Sequence, residues 1–112
     1  MKITYANKKV EKYFSDYSKL QKKLPMDWVE NIRKYMRHLR VSRTFGDFLD
    51  LYLGHPERLS GYDPPRYSLR VSANARLILE VSDELDEVRI CQEVEIEGVC
   101  DYHGNKENWY IP

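Results

Sequence analysis

The chain has 112 residues, 42% of them hydrophobic and 32% charged. That is enough for one modest core in a single domain and excludes a disordered chain. No run of 18 apolar residues occurs, so a membrane-spanning helix is not expected, and "MKITYANKKVEKYF" lacks the apolar centre of a signal peptide. The expected address is the cytoplasm. Net charge is zero but unevenly spread. Residues 1–43 carry 12 Lys/Arg against 4 Asp/Glu, and residues 80–101 carry 9 acids against 1 base. Each half can face a partner of opposite charge or be a solvated face.

"KITY" predicts a short first strand. From Asn7 to Lys23 the apolar positions Val10, Tyr13, Phe14, Tyr17 and Leu20 mark one face of a helix, which Pro25 ends. A second helix is expected from Asp27, with Asp27 and Glu30 in a capping-box arrangement. Its buried stripe is Val29, Ile32, Tyr35, Met36 and Leu39, and Arg33, Lys34, Arg37 and Arg40 take the other side. A shorter helix is predicted over Thr44–Leu53, burying Phe45, Phe48, Leu49 and Tyr52, with Gly54 as its stop.

The period then changes from helical to alternating. "RYSLRVS" sets Tyr67, Leu69 and Val71 on one face and Arg66, Ser68 and Arg70 on the other. "SANA" reads as a hairpin turn without glycine, followed by the strand "RLILEV" and the polar turn "SDELDE". "VRICQEVEI" puts Val88, Ile90, Val94 and Ile96 on one side and Cys91, Glu93 and Glu95 on the other. Three such strands predict an antiparallel meander. Helices first and strands after predict an α+β domain, with an N-terminal strand and two to three helices on one face of the sheet. "GYDPPRY" reads as a loop or an edge because of its two prolines.

Residues suited to chemistry lie from position 55 onward: His55 and Arg58 in "HPERLSG", Arg66 and Arg70 on one strand face, Arg76 opening the next strand, and Asp101-Tyr102-His103 at the last strand's end. If these segments converge, the set suits cleavage of RNA by its own 2′-hydroxyl. That reaction needs a base for the 2′-OH, an acid for the leaving 5′-oxygen, and fixed positive charge for the transition state. Histidine carries protons near neutral pH, arginine matches phosphate, and tyrosine stacks on bases. The bland alternatives are that His55 caps the helix end beside Pro56 and that the strand arginines face solvent. His38, among Arg37 and Arg40, reads as surface. Cys91 and Cys100 form no Cys-x-x-Cys pair and read as inert thiols. With the three histidines they fit no standard zinc spacing, so no metal ligand is assigned.

The combination "GHPERLSG…RYSLRVSANARLILEV…DYH" resembles the HigB-type toxins of the RelE superfamily, also called plasmid maintenance killer proteins. "YSLRVSANARLI", from Tyr67 to Ile78, matches their hairpin pattern, and the terminal Asp-Tyr-His matches their last strand. The resemblance covers roughly residues 1–103. It implies a small α+β toxin that cuts messenger RNA on the ribosome without a cofactor. It also implies a HigA-like antitoxin with a helix-turn-helix domain, through which the pair reaches its own operator DNA. By position, His55 matches the histidine after the last helix, Arg58 a phosphate-contacting lysine, and Arg76 the arginine that steadies the transition state. His103 or His55 would move the proton, Asp101 would orient a histidine, and Tyr102 would stack on the base. Arg66 and Arg70 join Arg58 as RNA-binding residues. Ala75 stands where the family usually has a bulky residue, the charge is neutral where many members are basic, and a tail, 104–112, follows the triplet. These departures leave a second reading: a RelE-fold binding module that pairs with an antitoxin but cleaves weakly or not at all. A related toxin fold that acts on DNA gyrase lacks the terminal triplet and ranks third.

Overall fold

In the computed structural model, residues 1–82, 87–103 and 106–112 are described, with backbone only for Tyr102, His103, Lys106 and Glu107. The polar turn "SDELDE" therefore falls mostly outside the described residues. The elements run β1 (Lys2–Tyr5), α1 (Lys8–Ser15), α2 (Tyr17–Lys23), α3 (Met26–Val41), α4 (Phe45–Asp50), β2 (Glu57–Leu59), β3 (Arg66–Arg70), β4 (Ala75–Glu80), β5 (Glu93–His103) and β6 (Lys106–Ile111).

The α+β expectation holds: helices pack on one face of a six-stranded sheet of order β1-β5-β4-β3-β2, with β6 also on β5. The expected meander is present, since β3, β4 and β5 pair antiparallel. The core joins the predicted helix stripes (Val10, Phe14, Val29, Ile32, Met36, Leu39) to the inner strand positions Leu69, Leu77, Leu79, Val94 and Ile96, all 0–1% exposed.

Several expectations need correction. The single helix over Asn7–Lys23 is two. Asp16 takes extended backbone, and its carboxylate accepts the Ser18 N–H at 3.0 Å and the Ser18 hydroxyl at 2.6 Å, which starts α2 afresh. These bonds hold the Asp16 carboxyl below its ordinary pKa. The capping box at Asp27 and Glu30 does not form. Met26 already opens α3, and Pro25 supplies the backbone carbonyl that accepts from Trp28 and Val29. Asp27 instead lies in the first turn, where it complements the helix dipole. The third helix closes at Asp50, before the predicted Leu53, and Tyr52 beyond it adopts a left-handed φ of 52°.

The last strand begins at Glu93. Val88–Ile90 forms a single 3₁₀ turn that lies against α4, with the Phe45 N–H donating to the Cys91 carbonyl at 2.8 Å. Ile90, expected on the buried side, is therefore 59% exposed. The sheet is mixed, because β1 runs parallel to β5. "HPERLSG" contributes the short edge strand β2, and the tail contributes β6, antiparallel to β5.

One irregularity governs the site. Opposite Ile78 and Leu79, β5 carries an extra residue: Ile78 faces Gly98 and Leu79 faces Ile96, so Glu97 is the bulge. A bulge reverses the in–out alternation that follows it. Val94 and Ile96 are in the core before the bulge, and Val99 is in it afterwards. Gly98 has φ 142°, and a Cβ there would overlap the Ile111 carbonyl oxygen of β6.

Candidate functional site

The sheet face away from the helices is ordered in rows by register. Arg66, Glu80 and Glu95 form one row, Glu57, Ser68, Ile78 and Gly98 the next, and Arg70, Arg76, Cys100 and Trp109 the third. Directly opposed residues share a face. The two ends of this face differ in chemistry.

At the hairpin end, the Ser72 side chain closes a tight turn that has no glycine. Its hydroxyl accepts the Ala75 N–H at 3.0 Å, and the Val71 N–H donates to the Ala75 carbonyl at 2.9 Å. Arg76 folds back over this turn, its Nη1 donating to the carbonyls of Ser72 at 3.0 Å, Ala73 at 3.3 Å and Ala75 at 3.0 Å. Its cross-strand neighbour is Arg70, and like charges opposed in this way repel. Arg70 is exposed.

The loop after α4 is tied to the same place. The Arg70 N–H donates to the Gly54 carbonyl at 2.7 Å, and the Tyr35 hydroxyl donates to the Arg70 carbonyl. Gly54 lies so close to the Tyr35 ring that a Cβ would meet it at 2.9 Å. His55 follows directly, exposed, with its ring edge-on to Tyr52 at 5.2 Å. It lies beyond Leu51, which closes α4, so the helix-capping alternative is not what the structure shows. β5 arrives here too, since Ala75 faces Asp101. His55, Arg70, Arg76 and the backbone of Asp101-Tyr102-His103 thus gather at one end of the sheet.

They do not all share a face. Asp101, past the bulge and opposite the core residue Ala75, lies on the helix side. It accepts a 3.4 Å bond from the Tyr110 hydroxyl, and the Tyr110 ring stands edge-on to Trp28 of α3. Burial, then the Asp101 charge, raises the Tyr110 pKa. Tyr102 and His103 pair with Glu107 and Lys106 of β6, and their side chains lie outside the described residues. Arg58 faces Tyr67, which puts it on the helix side of the edge strand, whereas its neighbour Glu57 faces Ser68 on the outer side. Glu57 is a carboxylate that sequence reasoning passed over. The alternation in "PERL", against a strand whose outer residues are Arg66, Ser68 and Arg70, was its signal.

At the opposite end of the face Arg66 is consumed by acids. Its Nε is 3.1 Å from Glu80 and its Nη2 is 3.0 Å from Glu97, with the guanidinium 4.8 Å from the Tyr62 ring centroid. Glu97 is only 8% exposed. Burial, together with the adjacent Glu95, pushes its carboxyl up to about 8. Among the described residues, Glu80, Glu95 and Glu97 are the group whose oxygens lie close enough to share a cation, within 4.8 Å of one another, and Arg66 already provides a counter-charge.

Basic residues also lie along the helices. On α3, Arg33 stands over the Tyr17 ring and Lys34 over Tyr35. A groove between α1 and α2 is lined by Lys12, Tyr13, Lys19, Lys22 and Lys23. No described helix is long and apolar enough to cross a membrane.

No protein-family profile matches the sequence, and no curated protein does. Two solved structures are similar in shape. A YoeB/ParE toxin from Agrobacterium tumefaciens superposes with a TM-score of 0.57 at 22% identity, over 92% of this chain and 100% of the other. The fold is that of the YoeB/ParE toxins. A YoeB dimer from Staphylococcus aureus gives a TM-score of 0.54 at 23% identity, over 92% of this chain and 97% of the other. In this chain β6, built from the tail, pairs with β5, the strand that carries the terminal triplet.

Proposed function

We propose that the protein is the toxin of a type II toxin–antitoxin pair, of HigB type, and that it cleaves messenger RNA on the ribosome. The observation that carries this reading is the Gly54–Arg70 hydrogen bond. It seats the histidine loop against the arginine pair at the sheet end where β5 also arrives. The likeness in shape to YoeB/ParE toxins supports it.

In this reading the RNA's own 2′-oxygen attacks the adjacent phosphorus. The 5′-oxygen leaves, giving a 2′,3′-cyclic phosphate and a free 5′-hydroxyl. A group on the protein takes the 2′-OH proton and another returns one to the 5′-oxygen. His55 and His103 are the proton carriers near neutral pH. Glu57 is the carboxylate that the register sets on the outer face with the arginines. Arg70 and Arg76 hold the phosphate and its transition-state charge, with no metal required. Asp101 acts from behind the sheet by fixing the strand end, and Tyr102 stacks on a base. The basic face of α3 contacts ribosomal RNA, and a HigA-like antitoxin with a helix-turn-helix domain neutralises the toxin.

The test is inducible expression with mapping of messenger RNA 5′ ends, wild type beside His103→Ala and His55→Ala. New ends inside translated frames, lost in at least one histidine variant, are the expected result. A folded, soluble wild type that produces none would sink the cleavage reading. One observation favours a second reading, an antitoxin-binding module without cleavage: Arg76 spends Nη1 on turn carbonyls and Arg66 is spent on acids. Capture of a helix-turn-helix partner encoded beside this chain, with no new RNA ends, would select it.

A further inference from the structure

We infer that Tyr52 is a substrate-stacking residue, and that its ring and that of His55 together seat one unpaired RNA base beside Arg70. The inference rests on the RNA-cleavage reading and deepens it by adding a base-recognition element.

The starting point is backbone conformation. Tyr52 and His55 have φ of 52° and 48°, and Gly54 between them has 69°. Glycine occupies this region freely, whereas a bulky residue is strained there. Here Tyr52 occupies it, with His55, a residue that tolerates the region better, three positions on. Such strain persists only where surrounding structure enforces it, and it clusters at functional sites. The enforcement is visible. The Gly54 carbonyl is held by the Arg70 N–H at 2.7 Å, and Gly54 is pressed against Tyr35, whose hydroxyl bonds the Arg70 carbonyl.

The strained residue does not repay its cost by packing. Tyr52 is 62% exposed, in contrast to the buried Phe45 and Phe48 of the preceding helix. Its contact with His55 is edge-on, at 5.2 Å and 69° between planes, which leaves ring surface open to a stacking partner. A pair of exposed rings, on a loop hydrogen-bonded to the backbone of an exposed arginine, suits single-stranded RNA. The base stacks on the rings, and the backbone phosphate meets the cation.

The experiment is single-turnover cleavage of a defined messenger on programmed ribosomes, with purine and pyrimidine at the cut site, alongside thermal melting. The variants are Tyr52→Gly and Tyr52→Asn, both tolerant of left-handed backbone, and Tyr52→Phe. Tyr52→Gly and Tyr52→Asn are expected to melt at or above the wild-type temperature. Their cleavage should fall by roughly five- to a hundredfold, most on the purine substrate, while Tyr52→Phe stays near wild type. Wild-type cleavage with Tyr52→Gly unaffected in rate and base preference would overturn the stacking role and leave the cleavage reading standing. Absence of cleavage by the folded wild type would overturn both.

Discussion

Two arginines on the same face of β3, four residues apart, have opposite fates. Arg66 is drawn into Glu80 and Glu97 and lies over Tyr62, so its charge is neutralised inside the fold. Arg70 stays exposed, opposed by a second arginine and, among the described residues, hydrogen-bonded through its backbone alone. The strand alternation that groups them carries no information about this difference. It arises from their cross-strand neighbours, an acid row at one end and a basic hairpin at the other. A charged side chain becomes a structural tie or stays exposed according to what faces it across the ladder.

The bulge that separates the two ends offers the most damaging perturbation. Gly98→Val sets a Cβ against the Ile111 carbonyl at a φ that β-branched residues avoid. It should cost about 3 kcal/mol or more, seen as a lower midpoint in urea unfolding. An unchanged midpoint would show that β6 does not press on the bulge.

Exchanging the roles of the two arginines comes next. Arg66→Met removes the guanidinium from which Glu80 and the nearly buried Glu97 accept and should cost about 2 kcal/mol, because it leaves two part-buried carboxyl groups without that donor. Arg70→Met should shift stability by only about 0.5 kcal/mol and, on the proposed RNA-cleavage reading, reduce cleavage roughly a hundredfold. If Arg66→Met abolished cleavage at full stability, the division between the two ends would be wrong.

Glu97 sharpens the comparison through pH. Its folded pKa of about 8 stands above the ordinary 4.5, so the folded state holds a proton that the unfolded state has released. This contribution is complete below about pH 4.5 and is lost as pH rises to about 8. Denaturation midpoints should therefore decline across that window, and Glu97→Gln should flatten the decline. A wild-type profile matching that of Glu97→Gln would remove the raised pKa.

The smallest effect belongs to the turn. Ser72→Ala removes the acceptor of the Ala75 N–H and should cost about 1 kcal/mol. Loss of cleavage beyond the loss of fold would show that the turn also positions Arg76.

Much of this was legible in the chain itself. The 3.6-residue spacing of Val29, Ile32, Met36 and Leu39 and the alternation of Tyr67, Leu69 and Val71 identify what must leave water. Those burials are what the fold delivers. A periodic pattern reports the buried side of one segment because the reason for burial is local to that segment.

Pairing between segments is not local, and there the reading failed. Asp16 fits a helix interior by position, yet it caps a new helix once Phe14 and Leu20 must both reach the core. "EVEIEGVCDYH" looks like uninterrupted alternation, but the extra residue at Glu97 turns Asp101 to the helix side, where Tyr110 meets it. Its place in a contiguous triplet therefore does not keep Asp101 on the outer face. Nor does any local pattern announce that β1 pairs parallel to β5 or that the tail adds a strand. The amino-acid sequence by itself determined the elements, their buried sides and the residue types available for chemistry. The tertiary structure alone decided register, the bulge and each charge's cross-strand partner, because those depend on contacts between residues far apart in the chain.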